Sequence, residues 1–191
     1  MGPSDVPLLG LTIGKALDQA AESFGDTEAI VSVHQRIRRT FSQVKEESEK
    51  LAAGFLALGF KRGDRIGIWG PNSYEWYLTE FAAAKAGLIL VNINPSYRSS
   101  ELKYCLNKVS AKGQLTSKGV PSLKTVIMMG SNSASGTYSF DSILGFAGSE
   151  DFNELHKLEN KLQFDDPCNI QFTSVRIISH ICCALGFLGK E

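Results

Sequence analysis

The composition of this 191-residue chain excludes several classes of protein. Twenty basic and twenty acidic residues give a formal net charge of zero, so bulk electrostatics do not support nucleic-acid or membrane-surface binding. No run approaches the roughly 18 apolar residues of a membrane span, and the four cysteines form no CxxC pair, which indicates free thiols and not a disulfide framework or zinc site.

The first forty residues predict one helix followed by a β-hairpin. Thr12 is suited to cap a helix over residues 12–24. Residues 28–33 and 36–41 are typical of two short strands that pair with each other. The helix positions predicted to be buried recur at helical spacing, and they are Ile13, Leu17, Ala20 and Phe24.

A second helix is predicted to begin at a capping box. Thr40 is followed three residues later by Gln43, the spacing at which each side chain can bond the other residue's backbone N–H. The predicted buried face consists of Val44, Leu51, Phe55 and Leu58. The residues predicted to face water are Lys45, Glu46, Glu47, Glu49 and Lys50.

Residues 63–101 hold the pattern around which the rest of the chain is organised. Short apolar runs at 65–69 and 88–93 flank an alanine-rich stretch, 74–86, that is helical in composition. This order predicts a βαβ unit with parallel strands and a right-handed crossover, so the fold class is α/β. The helix has apolar side chains nearly all round, which predicts an interior element.

The turn between the first strand and helix of this unit, Gly70-Pro71-Asn72-Ser73, has two interpretations. Free N–H groups at the start of the helix could hold an anion. A tight turn with Asn72 or Ser73 as N-cap is the favoured interpretation.

The remaining elements are less regular. A helix capped by Ser99 or Ser100 should turn Leu102, Leu106 and Val109 inward, and an alternating α/β pattern should then supply another strand. Residues 110–123 are instead irregular and polar, as if a strand and its crossover were deleted. Further elements are predicted as a strand at 124–129, a weak helix at 150–161 built on Phe152, Leu155, Leu158 and Leu162, and a strand at 169–173. A well-packed domain is not expected beyond about Ser110.

Residues 39–106 carry a family resemblance. They read RTFSQVKEESEKLAAGFLALGFKRGDRIGIWGPNSYEWYLTEFAAAKAGLILVNINPSYRSSELKYCL. This stretch resembles the adenylate-forming acyl-CoA synthetases, among which it is most similar to the mitochondrial medium-chain acyl-CoA ligases. The resemblance extends over about residues 11–110 and resumes at 165–174. It implies the N-terminal part of the large domain of an adenylate-forming enzyme, with βαβ units and a mostly parallel sheet.

The resemblance also implies a chemistry. Such enzymes join a fatty acid to CoA with ATP and Mg²⁺, through an acyl-adenylate, and hold the phosphates in a glycine-rich loop, TSGTTGxPK, directly after a strand. Thr173 and Ser174 match the first two loop positions and are the only ATP-binding residues predicted. Catalytic and metal-binding residues are not predicted in this chain.

After Ser174 the sequence departs from the family pattern. Val175 and Ile178 stand at glycine positions and Ile181 at the lysine position. Holding β-branched residues in glycine-only conformations costs on the order of 1–3 kcal/mol apiece, and their side chains block backbone approach to phosphate. The chain is therefore expected to be inactive alone, as a truncated form that also lacks the later family elements.

The predicted organisation has three parts. Residues 1–10 form a disordered N-terminus, residues 11–174 a partial AMP-binding domain, and residues 175–191 an unrelated apolar tail. The abrupt change at Val175 and the skipped segment near 114–116 lead to the hypothesis of altered splicing or an artefact of the gene model.

Two functions remain open. The chain is either an inactive fragment of a fatty acid–CoA ligase or a non-catalytic interaction fragment that binds the full-length ligase or itself, acting as a dominant-negative. The resemblance implies a mitochondrial location, but residues 1–10 show no transit peptide, so a cytoplasmic location stays open.

Several other residues are expected to be structural. The isolated His34, His156 and His180 are interpreted as surface or loop residues. Arg36, Arg38 and Arg39 indicate a solvated strand face, with phosphate contact as the alternative. Cys182 and Cys183 are an incidental part of the tail or, alternatively, a reactive or acylated pair.

Overall fold

The computed structural model describes residues 9–108, 120 and 123–172. In chain order the elements are α1 (Ile13–Phe24), β1 (Glu28–Ser32), β2 (Ile37–Thr40), α2 (Phe41–Ala57), β3 (Arg65–Trp69), α3 (Tyr74–Lys85), β4 (Ile89–Ile93), α4 (Ser99–Lys108), β5 (Ile127–Met128), β6 (Tyr138–Ser139), α5 (Phe140–Ile143), α6 (Ser149–Glu159) and β7 (Asn169–Gln171).

The central βαβ unit is confirmed. Strands β3 and β4 pair in parallel over five residues each, from Arg65 opposite Ile89 to Trp69 opposite Ile93. Strand β7 pairs in parallel with the other edge of β4, so the sheet order is β3-β4-β7. The predicted hairpin is also confirmed, because β1 and β2 pair antiparallel. The protein therefore has an α/β fold with mostly parallel sheets.

The two faces of the parallel sheet contact different helices. Leu90 packs into a core shared by α1, α2, α3, α5 and α6. Val91, the next residue along the strand, packs with Leu102 and Leu106 of α4. Neighbouring strand residues point to opposite faces, so α3 and α4 cover opposite sides of the sheet.

The helix starts follow the predicted caps. Thr12 Oγ1 accepts a hydrogen bond from Lys15 N–H at 3.2 Å. The capping box of α2 is complete, since Thr40 Oγ1 accepts from Gln43 N–H and Gln43 Oε1 accepts from Thr40 N–H. Phe24 departs from its predicted burial and is 60% exposed, because it lies in the last turn of α1, outside the packed layer.

Two predictions about charged and capping residues are wrong. Glu47 and Glu49 were expected to face water, but both are partly buried because they pair with cations from other elements. Ser99 and Ser100 lie inside the first turn of α4 instead of capping it. Glu101 Oε2 accepts the Arg98 N–H at 2.7 Å at this helix start, and Val109 lies outside the described residues.

The part of the chain after residue 123 is better packed than expected. The predicted strand at 124–129 shortens to β5, which pairs with the unpredicted β6. Phe140, Ile143 and Leu155 are buried in the same core as α2. Gly54 explains the close approach of α2 to α5, because a Cβ there would collide with the carbonyl oxygen of Ile143. The expectation of poor packing beyond Ser110 is therefore wrong for residues 123–172.

The predicted irregular segment at 110–123, the N-terminus and the apolar tail lie mostly or wholly outside the described residues. Within the described ranges, the helices are too short or too polar for any of them to traverse a bilayer.

Candidate functional site at the carboxyl end of the parallel sheet

The carboxyl ends of β3, β4 and β7 meet at one end of the sheet, because the three strands are parallel. In open α/β sheets ligands bind in the crevice outside these ends. Two described connections leave the sheet here, the turn 70–73 and the stretch from Asn94, and β7 ends here at Gln171. This end is the candidate site.

Thr173 and Ser174 follow Phe172 in the sequence, just after β7, but they lie outside the described residues. The strand that leads to them is confirmed, since β7 runs parallel to β4 with Asn92 opposite Gln171. The position of the two predicted loop residues relative to the sheet stays a prediction, as does their role.

The start of α3 is capped by protein side chains. Ser73 Oγ accepts from Trp76 N–H at 3.3 Å, which confirms Ser73 as the N-cap. Gln35, from the turn of the hairpin, accepts the Tyr74 N–H through Oε1 at 2.7 Å. Its Nε2 donates to Glu75 Oε2 at 2.8 Å. The backbone N–H groups of Tyr74 and Trp76, which an anion would use, are therefore already hydrogen-bonded to side chains of the protein.

A carboxylate also occupies this helix start. Burial acts to raise the pKa of Glu75, but hydrogen bonds from its own backbone N–H, Gln35 and Ser73 outweigh burial and hold the pKa below its usual range. The ionised carboxylate is stabilised by the helix dipole and would repel a phosphate. The structure thus favours the interpretation of 70–73 as a capped turn.

A second polar cluster attaches the hairpin and α2 to α3. Arg39 Nε donates to Glu47 Oε1 at 2.6 Å, and Tyr74 Oη donates to Glu47 Oε2 at 2.8 Å. Burial and the neighbouring Glu47 carboxylate raise the pKa of the Tyr74 phenol. Tyr74 is therefore neutral at physiological pH and acts as a hydrogen-bond donor.

Two of the three hairpin arginines form ion pairs with carboxylates. Arg38 pairs with Glu28 at 2.8 Å and Arg39 with Glu47. Arg36 is exposed in the hairpin turn with a φ of 55°. These pairs favour a structural role for Arg38 and Arg39 over phosphate contact.

Asn92 is a polar residue of the central strand that the sequence analysis missed. Its Nδ2 donates to Asn169 Oδ1 at 3.4 Å, whereas its Oδ1 is buried with no hydrogen-bond partner in the described part of the chain. The sequence does contain a sign of this residue's role, because Asn92 interrupts the apolar run of β4. The pair Asn92–Asn169 places a polar contact between β4 and the first residue of β7, inside the parallel sheet.

The described histidines and cysteines are not brought together. His34 Nδ1 lies 3.3 Å from Ser32 Oγ, and His156 Nδ1 lies 3.5 Å from Glu159 Oε2. Cys105 is buried and Cys168 is partly buried. Among the described residues, no group of three or more His, Cys, Asp or Glu could hold a metal ion. His180, Cys182 and Cys183 fall beyond those residues.

An apolar pocket of about 330 Å³ lies at the opposite, amino end of the sheet. Leu88, Leu162 and Phe164 line it, and an ion pair borders it, with Arg62 Nη2 at 2.7 Å from Asp166 Oδ2. Asp166 also accepts from Gln163 N–H, and together with Arg62 this bond holds the pKa of its carboxyl below the usual range. The pocket therefore presents no unpaired charge.

The family model for AMP-binding enzymes matches residues 17–174. The chain belongs to this family. The mitochondrial medium-chain acyl-CoA ligase ACSF2 of Mus musculus is 40% identical over 203 aligned positions, which take in 91% of this chain and 33% of that protein. The putative acyl-CoA synthetase YngI of Bacillus subtilis is 32% identical over 87% of this chain and 36% of its own length.

Solved structures of adenylate-forming enzymes share the fold. The anthranilate CoA ligase AuaEII superposes with a TM-score of 0.72 at 21% identity, over 91% of this chain and 34% of that one. The N-terminal domain of FACL13 from Mycobacterium tuberculosis gives 0.67 at 23% identity, over 87% of this chain and 42% of that one. The resemblance to adenylate-forming acyl-CoA synthetases is confirmed, and the chain spans about a third of the length of the curated relatives it matches.

Proposed function

We propose that this chain is part of a fatty acid–CoA ligase, which converts a fatty acid, ATP and CoA to acyl-CoA, AMP and diphosphate. The observation that carries the proposal is the 40% identity to a medium-chain acyl-CoA ligase over 91% of the chain. The name of that relative supports medium-chain fatty acids as substrates and a mitochondrial location. In this proposal Mg²⁺ and CoA are bound by the longer protein.

The described residues alone do not fit an ATP–Mg²⁺ site. At the carboxyl end of the sheet, the start of α3 is bonded to Gln35 and carries the Glu75 carboxylate. A cluster of three or more metal ligands is missing from the described residues. Binding of ATP would therefore depend on the residues that follow β7.

Those residues lead us to propose that this chain does not bind ATP by itself. Only Thr173 and Ser174 agree with the phosphate loop, and the positions after them carry Val175, Ile178 and Ile181 in place of glycine, glycine and lysine. A phosphate loop holds its anion with backbone N–H groups, which requires glycine for close approach and for the backbone conformation.

The test is calorimetric titration of the purified chain with ATP and Mg²⁺, and then with a medium-chain acyl-adenylate analogue. We expect no saturable heat with either ligand, while full-length mouse ACSF2, titrated in parallel, gives the positive control. Cooperative unfolding of the same sample establishes that the chain is folded. Saturable binding by this chain would show that the nucleotide site has been misplaced, and variants in the turn 70–73 would then locate it.

A second candidate function is non-catalytic association with a full-length ligase of the same family. The observation that favours it is the exposure of apolar side chains beside β3, where Trp69 is 49% exposed and Met129 39% exposed. Solvent-exposed apolar groups at a sheet edge mark interaction surfaces.

Co-expression tests this candidate. The tagged chain is expressed with full-length mouse ACSF2 and purified on the tag. Stoichiometric recovery of the ligase, together with reduced ligase activity, is the expected result for a dominant-negative fragment. Recovery of the tagged chain alone would exclude association with the full-length ligase. The proposal that the chain is part of a fatty acid–CoA ligase would be unaffected.

A further inference from the structure

The outer edge of β3 carries backbone groups that point away from the sheet. The order β3-β4-β7 makes β3 the terminal strand of this sheet within the part of the chain that the structure describes. Ile89 N–H donates to the Asp64 carbonyl at 2.8 Å, so the backbone groups of Asp64 and of every second residue after it point toward β4. The residues whose N–H and C=O groups face outward are consequently Arg65, Gly67 and Trp69.

The handedness of the crossovers indicates where a parallel strand that followed α4 would lie. The connection from β3 to β4 passes through α3 on one face of the sheet, and the chain leaves β4 through α4 on the opposite face. Right-handed crossovers on opposite faces lead in opposite directions across a sheet. A parallel strand that followed α4 would thus lie on the β3 side of β4, at the outer edge of β3.

A groove is present at this position. It has a volume of about 110 Å³ and lies between β3 on one side and residues 123–127 on the other. Ile66, Ile68 and Phe140 are among its lining residues, so its floor is apolar. Arg65 also lines it, and Arg65 Nε is buried without a hydrogen-bond partner in the described part of the chain. The groove can therefore receive apolar side chains of a segment that pairs with β3.

The sequence comparison shows that a relative has residues that this chain lacks. The alignment with mouse ACSF2 covers 203 positions, which is longer than this entire chain of 191 residues. The relative therefore has residues without a counterpart here. In this chain the residues after α4 are polar and rich in turn formers, in the stretch SAKGQLTSKGVP.

We infer that the outer edge of β3 is a binding site for one extended, apolar strand, supplied by a longer member of the same family. The strand would pair in parallel with β3, accept and donate hydrogen bonds at Gly67 and Trp69, and place alternate side chains in the groove. This mode is strand addition, in which main-chain bonds give affinity and pockets select side chains. The inference names the surface for the second candidate function and rests on it for its biological setting.

The test uses a synthetic peptide with the residues that mouse ACSF2 carries between the positions aligned with Lys108 and Leu123. Amide hydrogen exchange of the full chain is followed by NMR with and without peptide. We expect exchange at Gly67 and Trp69 to slow by about tenfold or more, because these amides gain hydrogen bonds. The amides of Ile66 and Ile68, which face β4, serve as internal controls and should not change.

Uniform slowing at all four amides, or no change at Gly67 and Trp69 at a peptide concentration that saturates any heat of binding, would overturn the inference. A chimera with the same residues inserted between Lys108 and Leu123 provides a second measurement. It should unfold at a higher denaturant concentration and no longer respond to the peptide. Peptide binding without recovery of full-length ACSF2 in the co-expression experiment would remove the proposed association while leaving the strand site in place.

Discussion

Replacing Lys85 by methionine is expected to lower the free energy of unfolding by about 3–5 kcal/mol, because it leaves partly buried carboxylates without their shared, fully buried cation. Lys85 lies at the end of α3, and its side chain is fully buried. Its Nζ lies 2.7 Å from Asp18 of α1, 3.1 Å from Glu159 of α6 and 3.4 Å from Glu49 of α2. One ammonium group thus connects four helices.

The charge of Lys85 is maintained by this arrangement. Burial acts to lower the pKa of Lys85, but the hydrogen bond to Asp18 and the charges of Glu159 and Asp18 outweigh burial and raise it. A raised pKa in the folded state means that the stabilisation is fully present below the unfolded-state pKa of about 10.4. The contribution is lost only as the pH rises through the still higher folded-state pKa.

Chemical denaturation of Lys85→Met and of a matched control tests this expectation. Lys50 pairs with Glu46 at 2.6 Å on the exposed face of α2, and Lys50→Met should change the stability far less, because solvent screens an exposed ion pair. Equal losses for the two variants would show that the Lys85 cluster does not stabilise the fold. If Lys85→Met fails to fold, the double variant with Asp18→Asn, which removes a carboxylate whose ion pair is with Lys85, should recover part of the stability.

Replacing Leu155 by alanine is expected to cost about 2–5 kcal/mol, through lost burial and the cavity that remains. Leu155 lies on α6, is fully buried, and packs in the core that contains α2. Leu158 on the same helix is partly exposed and provides the control. Leu158→Ala removes the same atoms but should have a smaller effect, since fewer of them leave water.

Urea unfolding of the two variants, followed by far-UV circular dichroism, distinguishes two views of the chain. A large loss for Leu155→Ala means that α6 belongs to the same cooperative unit as α2. Equal small losses for both variants would mean that residues after 123 pack only loosely on the first part, as the sequence analysis expected.

The elements that the sequence predicts well are those with a local cause. The βαβ unit follows from apolar runs and an alanine-rich helix, and both helix caps at Thr12 and Thr40 follow from side chains that reach backbone groups three residues away. The family resemblance also depends on a contiguous stretch, residues 39–106.

The features that the sequence does not predict depend on residues far apart in the chain. Glu47 has the composition of a solvent-facing helix residue, but Arg39 and Tyr74 bring it into the structure. Gln35 caps a helix that begins almost forty residues later. Such contacts exist only once the layers pack, so no local pattern encodes them. The same holds within the parallel sheet, where Asn92 meets Asn169 only across paired strands.

The Lys85 cluster also has a consequence for the order of events during synthesis. Asp18 and Glu49 leave the ribosome before Lys85, but Glu159 follows much later. Domains generally fold as they emerge, N-terminal parts first, so a nascent chain can bring α1, α2 and α3 together with only two of the three carboxylates in place. The third ion pair, between Lys85 and Glu159, can form only after α6 has been synthesised.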